Sequence, residues 1–306
     1  MTISRRDFFV VSSAAVAAVA MRDVLAAQPP AAPPSTGTFT AIRGDAGYFV
    51  AQGGTIGWLI NKDAVVVVDT QYPRTAPICV AGLKERSGGR PIDLVLNTHH
   101  HGDHTGGNGV FQAASKQIVA HARVPALMKR AAAAQPNAPA PVLPTATFDK
   151  TWSEKMGNET VGATHHGPGH TGGDAVIYFE RANVVHMGDL LFHELHPRVD
   201  RPAGASIQNW MTTLDTVTTA MPKDAVFIAG HAGPGQPVLV RSDALRGLRN
   251  YFDAALNHTR KGIAAKKSPQ EIVSIPVLPG FEHYQALGDV LTLSGVLTAA
   301  YEELTA

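Results

Sequence analysis

The sequence THHHGDHTGGN at residues 98–108 places four histidines and one aspartate within the six residues 99–104. Imidazole and carboxylate groups are the ligands that proteins use for borderline divalent ions such as zinc. The preceding residues 92–96 are mostly apolar and predict a buried strand that delivers this loop. The stretch therefore predicts a metal site at the end of a strand.

The spacing inside the loop predicts room for more than one ion. His99 and His101 are two residues apart, so both side chains can point the same way beyond the strand. Gly102 allows a turn, after which Asp103 and His104 can face a second position. We expect His100, which lies between His99 and His101, to point away from the metal.

Length and composition are those of an ordinary globular enzyme. The chain has 306 residues, 44% of them apolar, which suffices for one large α/β domain or two small ones. The formal net charge is only +1, and an excess of basic residues is missing, which argues against nucleic acid as a partner. We expect the single cysteine, Cys79, to be a buried apolar residue.

The first residues predict an export signal. The sequence SRRDFFV at residues 4–10 precedes a mild apolar run at 11–20, and small residues follow at Ala26 and Ala27. This pattern is typical of a twin-arginine signal peptide over residues 1–27, whereas a membrane anchor needs roughly 20 apolar residues. We therefore expect periplasmic localisation through the twin-arginine (Tat) export machinery, without stable membrane insertion. Removal of the signal peptide lowers the formal net charge of the chain from +1 to 0.

The rest of the chain alternates strands and helices. Residues 28–36 are rich in proline and alanine and predict an extended linker. Apolar periodicity then predicts strands at 38–43, 48–52, 55–60, 64–69, 92–96, 117–120, 160–164, 175–179, 183–186 and 225–228, and helices at 75–86, 109–115, 124–134 and 206–221. The strand and helix order of the first half of the chain repeats in outline in the second half. Two such halves suggest an α/β fold of two packed sheets with helices outside. The expected catalytic domain is 37–240, with a helical C-terminal extension, 241–306, packed on it.

Three further segments place metal-binding residue types beside glycines near predicted strand ends. They are His170 in GPGHTGGD, Asp189 in HMGDL and His231 in AGHAG. Together with the HxHxDH loop, these segments resemble the metallo-β-lactamase superfamily, and the similarity runs from about residue 37 to residue 235. The resemblance implies a four-layer αββα sandwich. It also implies that His99, His101 and His170 hold one zinc ion, that Asp103, His104 and His231 hold the other, and that Asp189 bridges them.

The chemistry implied by two Zn²⁺ ions per chain is hydrolysis. Zinc lowers the pKa of bound water to about 7, so that a metal-bound hydroxide can attack a carbonyl group of a small-molecule substrate. Asp103 is the expected catalytic residue, orienting the nucleophile and helping to move a proton. Asp69, which ends an apolar strand, either anchors the metal loop through hydrogen bonds or caps a turn.

The substrate class depends on two departures from the antibiotic-degrading members of the family. Those members usually carry Cys or Ser where Asp189 stands and a basic residue soon after it, whereas the first cation here is Arg198. An aspartate bridge resembles the thioesterase and lactonase branches, so an ester, thioester or lactone is the expected substrate. The alternatives are β-lactam hydrolysis, a mono-iron sulfur-oxidising enzyme similar to persulfide dioxygenases, and a non-catalytic periplasmic binding protein. The oligomeric state is left open.

Overall fold

Seven strands form the first sheet of the computed structural model, which describes residues 36–135 and 139–306. The predicted signal peptide and residues 28–35 of the predicted linker lie outside the described residues. In spatial order the strands are β1 (Thr38–Arg43), β2 (Ala46–Val50), β3 (Ile56–Ile60), β4 (Val65–Val68), β5 (Leu94–Asn97), β6 (Ile118–His121) and β7 (Ala146–Phe148). Strands β1 to β4 pair antiparallel and β4 to β7 pair parallel, so that Val68 lies beside Leu96.

The second sheet has six strands in the order β15-β13-β11-β10-β9-β8. The strands after β7 are β8 (Thr151–Met156), β9 (Glu159–Thr164), β10 (Val176–Phe179), β11 (Val184–His186), β12 (Phe192–His193), β13 (Val226–Ile228), β14 (His231–Ala232) and β15 (Leu239–Val240). Strands β12 and β14 form a separate short pair beside the sheet. The sequence did not predict β7 and β8, because they are edge strands with mostly exposed, polar residues that lack an apolar alternation.

Helices cover the outer faces of both sheets. They are α1 (Ala76–Arg86), α2 (Gly102–Thr105), α3 (Asn108–Gln112), α4 (Val124–Ala133), α5 (Ile207–Ala220), α6 (Ser242–Ala264), α7 (Pro269–Val273) and α8 (Leu293–Thr305). Two three-residue 3₁₀ helices, Gly188–Leu190 and Arg201–Ala203, lie in the loops of the second half. Among the described residues, no helix combines the length and apolar character needed to cross a membrane.

The layer order follows from the alternation of side chains along the central strands. Strand β4 is four consecutive buried valines; Val66 and Val68 pack between the sheets, whereas Val65 and Val67 pack under the helices of the first half. Between the sheets, these side chains meet residues of the second sheet such as Ile177. The result is the predicted four-layer αββα sandwich. Cys79 is fully buried in α1, as expected for an apolar position, and burial raises the pKa of its thiol.

The C-terminal helices share a core with the second sheet. Trp210 of α5 packs with Phe252 of α6, their ring centroids 4.7 Å apart, and with Val176 and Phe227 of the sheet. Helix α8 adds Val296 and Leu297 to the same cluster. Between α7 and α8 the chain leaves the helical layer and returns toward the strand ends. The helices predicted for the C-terminal extension are therefore present, and a non-helical segment joins α7 to α8.

Candidate metal centre

The predicted site residues lie in loops that follow strands of both sheets. The histidine loop leaves β5, and a one-turn helix, α2, forms where a simple turn was expected after Gly102. His170 lies between β9 and β10, Asp189 follows β11 and His231 follows β13. Parallel pairing of β11 with β13 brings the last two of these loops to the same edge.

One donor group consists of side chains from three of these loops. His99, His101, His170 and Asp189 each offer one ligand atom, and these atoms lie within 4.8 Å of one another. Nδ1 of His101 is 2.9 Å from Nε2 of His170, and Nε2 of His99 is 3.8 Å from Oδ2 of Asp189. All four side chains are buried, so the atoms converge on a space that water reaches poorly.

A second donor group lies beside the first. It consists of Asp103, His104 and His231, whose ligand atoms also lie within 4.8 Å of one another. Oδ2 of Asp103 is 3.0 Å from Nε2 of His231, which is itself 3.3 Å from Nε2 of His104. The seven predicted residues are thus all brought together, in two neighbouring groups.

The carboxylate of Asp189 stands between the two groups. Its Oδ1 is 2.9 Å from Nε2 of His104 and 3.4 Å from Nε2 of His231. Its Oδ2 faces the other way, 3.4 Å from Nε2 of His170. One side chain therefore presents one oxygen to each donor group.

Hydrogen bonds on the outer side of three of the rings orient the inner nitrogen. Asp69 Oδ2 accepts from Nδ1 of His104 at 2.7 Å, and the backbone carbonyl of Arg198 accepts from Nδ1 of His170 at 2.7 Å. Asp200 Oδ2 lies 2.8 Å from Nε2 of His101. Each bond fixes a tautomer that leaves the opposite nitrogen free for a metal ion.

Of these partners, the sequence indicated Asp69 as a candidate but did not indicate Asp200. For Asp69 the alternative of anchoring the loop is the one observed, because the side chain also accepts from the backbone and hydroxyl of Thr98 at 2.8 Å. Asp200 was not predicted. It lies in an unremarkable polar loop, and nothing in its neighbours distinguishes it from other aspartates.

His100 does not join either donor group of the predicted site. Its Nε2 lies 3.9 Å from Oδ2 of Asp200, and its buried Nδ1 has no hydrogen-bond partner. Burial and the neighbouring His101 lower the pKa of His100 to about 3. The imidazole is therefore neutral in the folded protein.

The charges within the cluster are strongly coupled. Burial lowers the pKa of His104, but the carboxylates of Asp189, Asp103 and Asp69 outweigh burial and hold that pKa well above its usual range. The same competition between burial and Asp189 raises the pKa of His231. Burial and then His104 hold the pKa of His99 well below its usual range. The cluster thus combines imidazoles of raised pKa, His104 and His231, with an imidazole of lowered pKa, His99.

Among the described residues, the buried Nε2 of His99 finds no hydrogen-bond partner, although it points into the cluster. Buried polar atoms are rarely left in this way unless something else satisfies them. Four imidazole nitrogens on His99, His101, His104 and His170 surround Asp189, and nitrogen with carboxylate oxygen is a donor set that suits zinc. The residues therefore fit divalent metal ions.

Glycines allow the backbone to approach the cluster closely. A Cβ on Gly54 would lie 2.1 Å from the ring of His104, and one on Gly230 would lie 2.1 Å from Oδ1 of Asp189. Any side chain at either position would displace a donor atom. The hairpin turn after β2 and the loop after β13 are thereby held against the site.

A cleft of about 650 Å³ opens beside the second donor group, and Asp103 and His231 line it. The turn between β2 and β3, Tyr72 and the loop after β13 form much of the wall. The remainder comes from the C-terminal region, which the sequence did not associate with the site; its lining residues are Leu287, Gly288 and Leu291.

The fold and the site together define an αββα protein with a histidine–aspartate metal-binding cluster at the strand ends. Residues 52–231 match the family described as the Metallo-beta-lactamase superfamily. The chain therefore belongs to this superfamily, whose members are generally metal-dependent hydrolases.

Individual relatives are distant. The chain is 38% identical over 66 residues to an uncharacterized protein of Aquifex aeolicus, of whose length the match spans only 31%. It is 22% identical over 175 residues to metallo-beta-lactamase IND-1 of Chryseobacterium indologenes, covering 57% of this chain and 70% of that protein.

Solved structures share the fold. A metallo-beta-lactamase from Pontibacter korlensis superimposes with a TM-score of 0.59 at 18% identity, covering 71% of this chain and 99% of the other. The DIM-1 metallo-beta-lactamase superimposes with a TM-score of 0.59 at 16% identity, covering 72% of this chain and 98% of the other.

Proposed function

We propose that this protein is a hydrolase that uses two zinc ions to cleave an ester, thioester or lactone. The observation that carries the proposal is the position of Asp189, with one oxygen 2.9 Å from Nε2 of His104 and the other 3.4 Å from Nε2 of His170. His99, His101 and His170 would hold one ion, and Asp103, His104 and His231 the other. Asp189 would bridge them.

The bound ions would lower the pKa of water to about 7 and polarise the carbonyl group of the substrate. Asp103 faces the cleft with 22% of its side chain exposed. Burial raises the pKa of Asp103, but the neighbouring His104 and His231 outweigh this and keep it below its usual range. As a carboxylate, Asp103 would accept a hydrogen bond from the attacking water and carry its proton toward the leaving group.

The preference for esters, thioesters and lactones is supported by two features of the chain. An aspartate occupies position 189, where the antibiotic-degrading members usually carry Cys or Ser. In addition, no lysine or arginine that could bind a carboxylate of the substrate is found among the described residues that line the cleft. The first cation after Asp189 is Arg198, whose guanidinium lies 3.4 Å from Asp200.

β-Lactam hydrolysis is the second candidate function. The observation in its favour is that the relatives in Chryseobacterium indologenes and Elizabethkingia meningoseptica are both metallo-beta-lactamases, at 22% and 21% identity. A strained amide carbonyl would meet the same donor groups as an ester would. The two functions differ in the substrate that the cleft must bind, a β-lactam in one case and an ester, thioester or lactone in the other.

The test is metal content and hydrolysis on one preparation of the mature protein. We expect about two zinc ions per chain, turnover of at least one class in a panel of esters, thioesters, lactones and β-lactams, and loss of turnover on chelation. His101→Ala should abolish turnover, and His231→Ala should reduce the zinc content to about one per chain. His283→Ala, which changes an exposed histidine outside the cluster, is the matched control.

Several results would reject the proposal. Turnover that survives complete removal of zinc, or that is unaffected by His101→Ala, contradicts a zinc-dependent hydrolase. One iron per chain with oxidation of persulfides would indicate the mono-iron alternative. Metal binding without turnover of any substrate class would favour a periplasmic binding protein.

We also propose that the protein is exported to the periplasm as a folded chain by the Tat machinery. The support is the sequence SRRDFFV at residues 4–10, followed by the apolar run and by small residues at the expected cleavage region. Export after folding would allow zinc to be loaded before translocation. The catalytic domain would then comprise residues 37–240 and the extension residues 241–306.

A further inference from the structure

We propose that the C-terminal turn, residues 287–291, is a specificity wall of the substrate cleft and selects substrates with an uncharged, apolar acyl group. The inference rests on the proposed function, because it assigns the substrate class of the same cleft. Leu287, Gly288 and Leu291 line that cleft together with Asp103 and His231. The turn therefore faces the second donor group across the space that a substrate would occupy.

The turn has a defined conformation. The backbone N–H of Leu287 donates to the carbonyl of Leu291 at 3.0 Å, and Gly288 adopts a φ of 59° that favours glycine. These features close a tight turn between α7 and α8. Leu287 and Leu291 are thereby held at the same end of the turn.

The turn is also tied to loops that carry metal-site residues. Gln285, just before the turn, donates its N–H to the carbonyl of Glu194 at 3.1 Å and accepts from the N–H of His196 at 2.9 Å. Its side-chain amide donates to the carbonyl of Pro234 at 3.3 Å. Glu194 follows Asp189 and Pro234 follows His231, so this wall is anchored to the same loops as two proposed ligands.

The wall is apolar and partly exposed. Among the described residues, the exposed large apolar side chains are Val277, Leu287 and Val290, and Leu287 is 49% exposed. Covering such a side chain with an apolar group is favourable because it removes apolar surface from water. Val50, at the end of β2, and Ala51, in the turn that follows, contribute further apolar lining.

The chemistry of the lining defines the group that fits. In the part of the chain that the structure describes, the ionisable residues that line the cleft besides Tyr72 are Asp103 and His231, both assigned to the second donor group. A charged acyl group that lies against Leu287 and Leu291 would lose water without gaining a counter-ion from that side of the cleft. A cleft of about 650 Å³ has the size of a small-molecule pocket. A neutral hydrocarbon chain attached to the scissile carbonyl meets these conditions.

The turn that forms this wall lies outside the residues that match the family. The family match ends at residue 231, and the turn begins more than fifty residues later. The C-terminal extension would thus contribute to specificity as well as to the core that it shares with the second sheet.

The test uses straight-chain hydroxamates from acetohydroxamate to octanohydroxamate on the zinc-loaded mature protein. The hydroxamate group, which chelates zinc, is the same throughout, so chain length is the variable. Calorimetry should show tighter binding as the chain lengthens. Leu287→Ala should weaken octanohydroxamate binding by about fivefold and change acetohydroxamate binding by less than about twofold.

Val290→Ala is the matched control, because Val290 is 58% exposed in the same turn but does not line the cleft. It should leave the whole series unchanged, and thermal melting of both variants checks that they fold. A wild-type protein without chain-length preference, or a preference that survives Leu287→Ala, overturns the proposal. Turnover of the matching ester series is measured separately. If no ester is turned over but the chain-length preference in hydroxamate binding depends on Leu287, the proposed hydrolase function is rejected and the specificity wall is supported.

Discussion

The carboxylate of Asp200 lies 2.8 Å from Nε2 of His101, on the side of the imidazole ring opposite to His170. Burial raises the pKa of Asp200, but its hydrogen bond with His101 and the charge of Arg198 outweigh burial and keep that pKa below its usual range. The ionised carboxylate holds the proton of His101 on Nε2. Nδ1 is then left unprotonated toward the first donor group.

From this contact we expect Asp200→Asn to weaken zinc binding by about tenfold, because partners that orient a metal-binding histidine typically contribute this much. Asparagine can still accept from the backbone N–H of Ala203, so the local turn should persist. Competition against a chelating dye measures the affinity. Asp215→Asn, at an exposed site on α5, is the control; equal affinities in both variants would contradict the role assigned to Asp200.

Zinc binding should release protons near neutral pH. In the metal-free protein, carboxylates outweigh burial and raise the pKa of both His104 and His231, whereas metal binding needs neutral imidazoles. Zinc affinity should therefore fall as pH falls, because the ion must displace protons that the carboxylates help these imidazoles to hold. Calorimetry in buffers of different ionisation enthalpy counts the protons. Binding enthalpies that do not depend on the buffer would be inconsistent with this coupling.

Stability in acid should depend on His186. Its Nε2–H donates to the carbonyl of Thr55 at 3.0 Å and its Nδ1 accepts from the N–H of Gly188 at 3.1 Å, so both nitrogens are used by the neutral ring. Burial lowers its pKa from 6.5 to about 4. Because the unfolded state binds the proton more readily, this contribution is complete above pH 6.5 and is lost as pH falls through 4.

The expected loss is about 3 kcal/mol of unfolding free energy between those pH values. Urea denaturation of the metal-free protein at several pH values measures it. His186→Gln, which cannot titrate, should be less stable at neutral pH and should show a shallower pH dependence. An identical slope in both proteins would assign the acid sensitivity to other groups.

Export should depend on the arginine pair near the N-terminus. Replacing Arg5 and Arg6 by lysine keeps the charge but removes the paired arginines that define this type of signal. We expect the protein to remain in the cytoplasm, as measured by fractionation and immunoblotting. Arg22→Lys, which lies beyond the apolar run, should be exported normally. Unchanged periplasmic protein in the double variant would show a different route.

Much of the fold could be predicted from local patterns. The four valines of β4 and the apolar residues before the histidine loop can be recognised because buried parallel strands are continuous apolar runs. Strand β8 could not be predicted, since an edge strand exposes most of its side chains and carries charged residues. The contacts of the segment between α7 and α8 could not be predicted either, because its backbone hydrogen-bonds to residues far away in sequence, such as Glu194.

The sequence by itself identified the candidate metal-binding residues, because HxHxDH, His170, Asp189 and His231 carry imidazole and carboxylate donors beside glycines. Tertiary structure decided which atoms of those residues face one another. Asp69 and Asp200 hydrogen-bond to rings 35 and 99 residues away, contacts that no local spacing encodes. For the same reason, the sequence did not indicate that Leu287 lines the cleft. Its place in the cleft depends on how a C-terminal turn returns to the strand ends, and that return is set by packing between parts of the chain far apart in sequence.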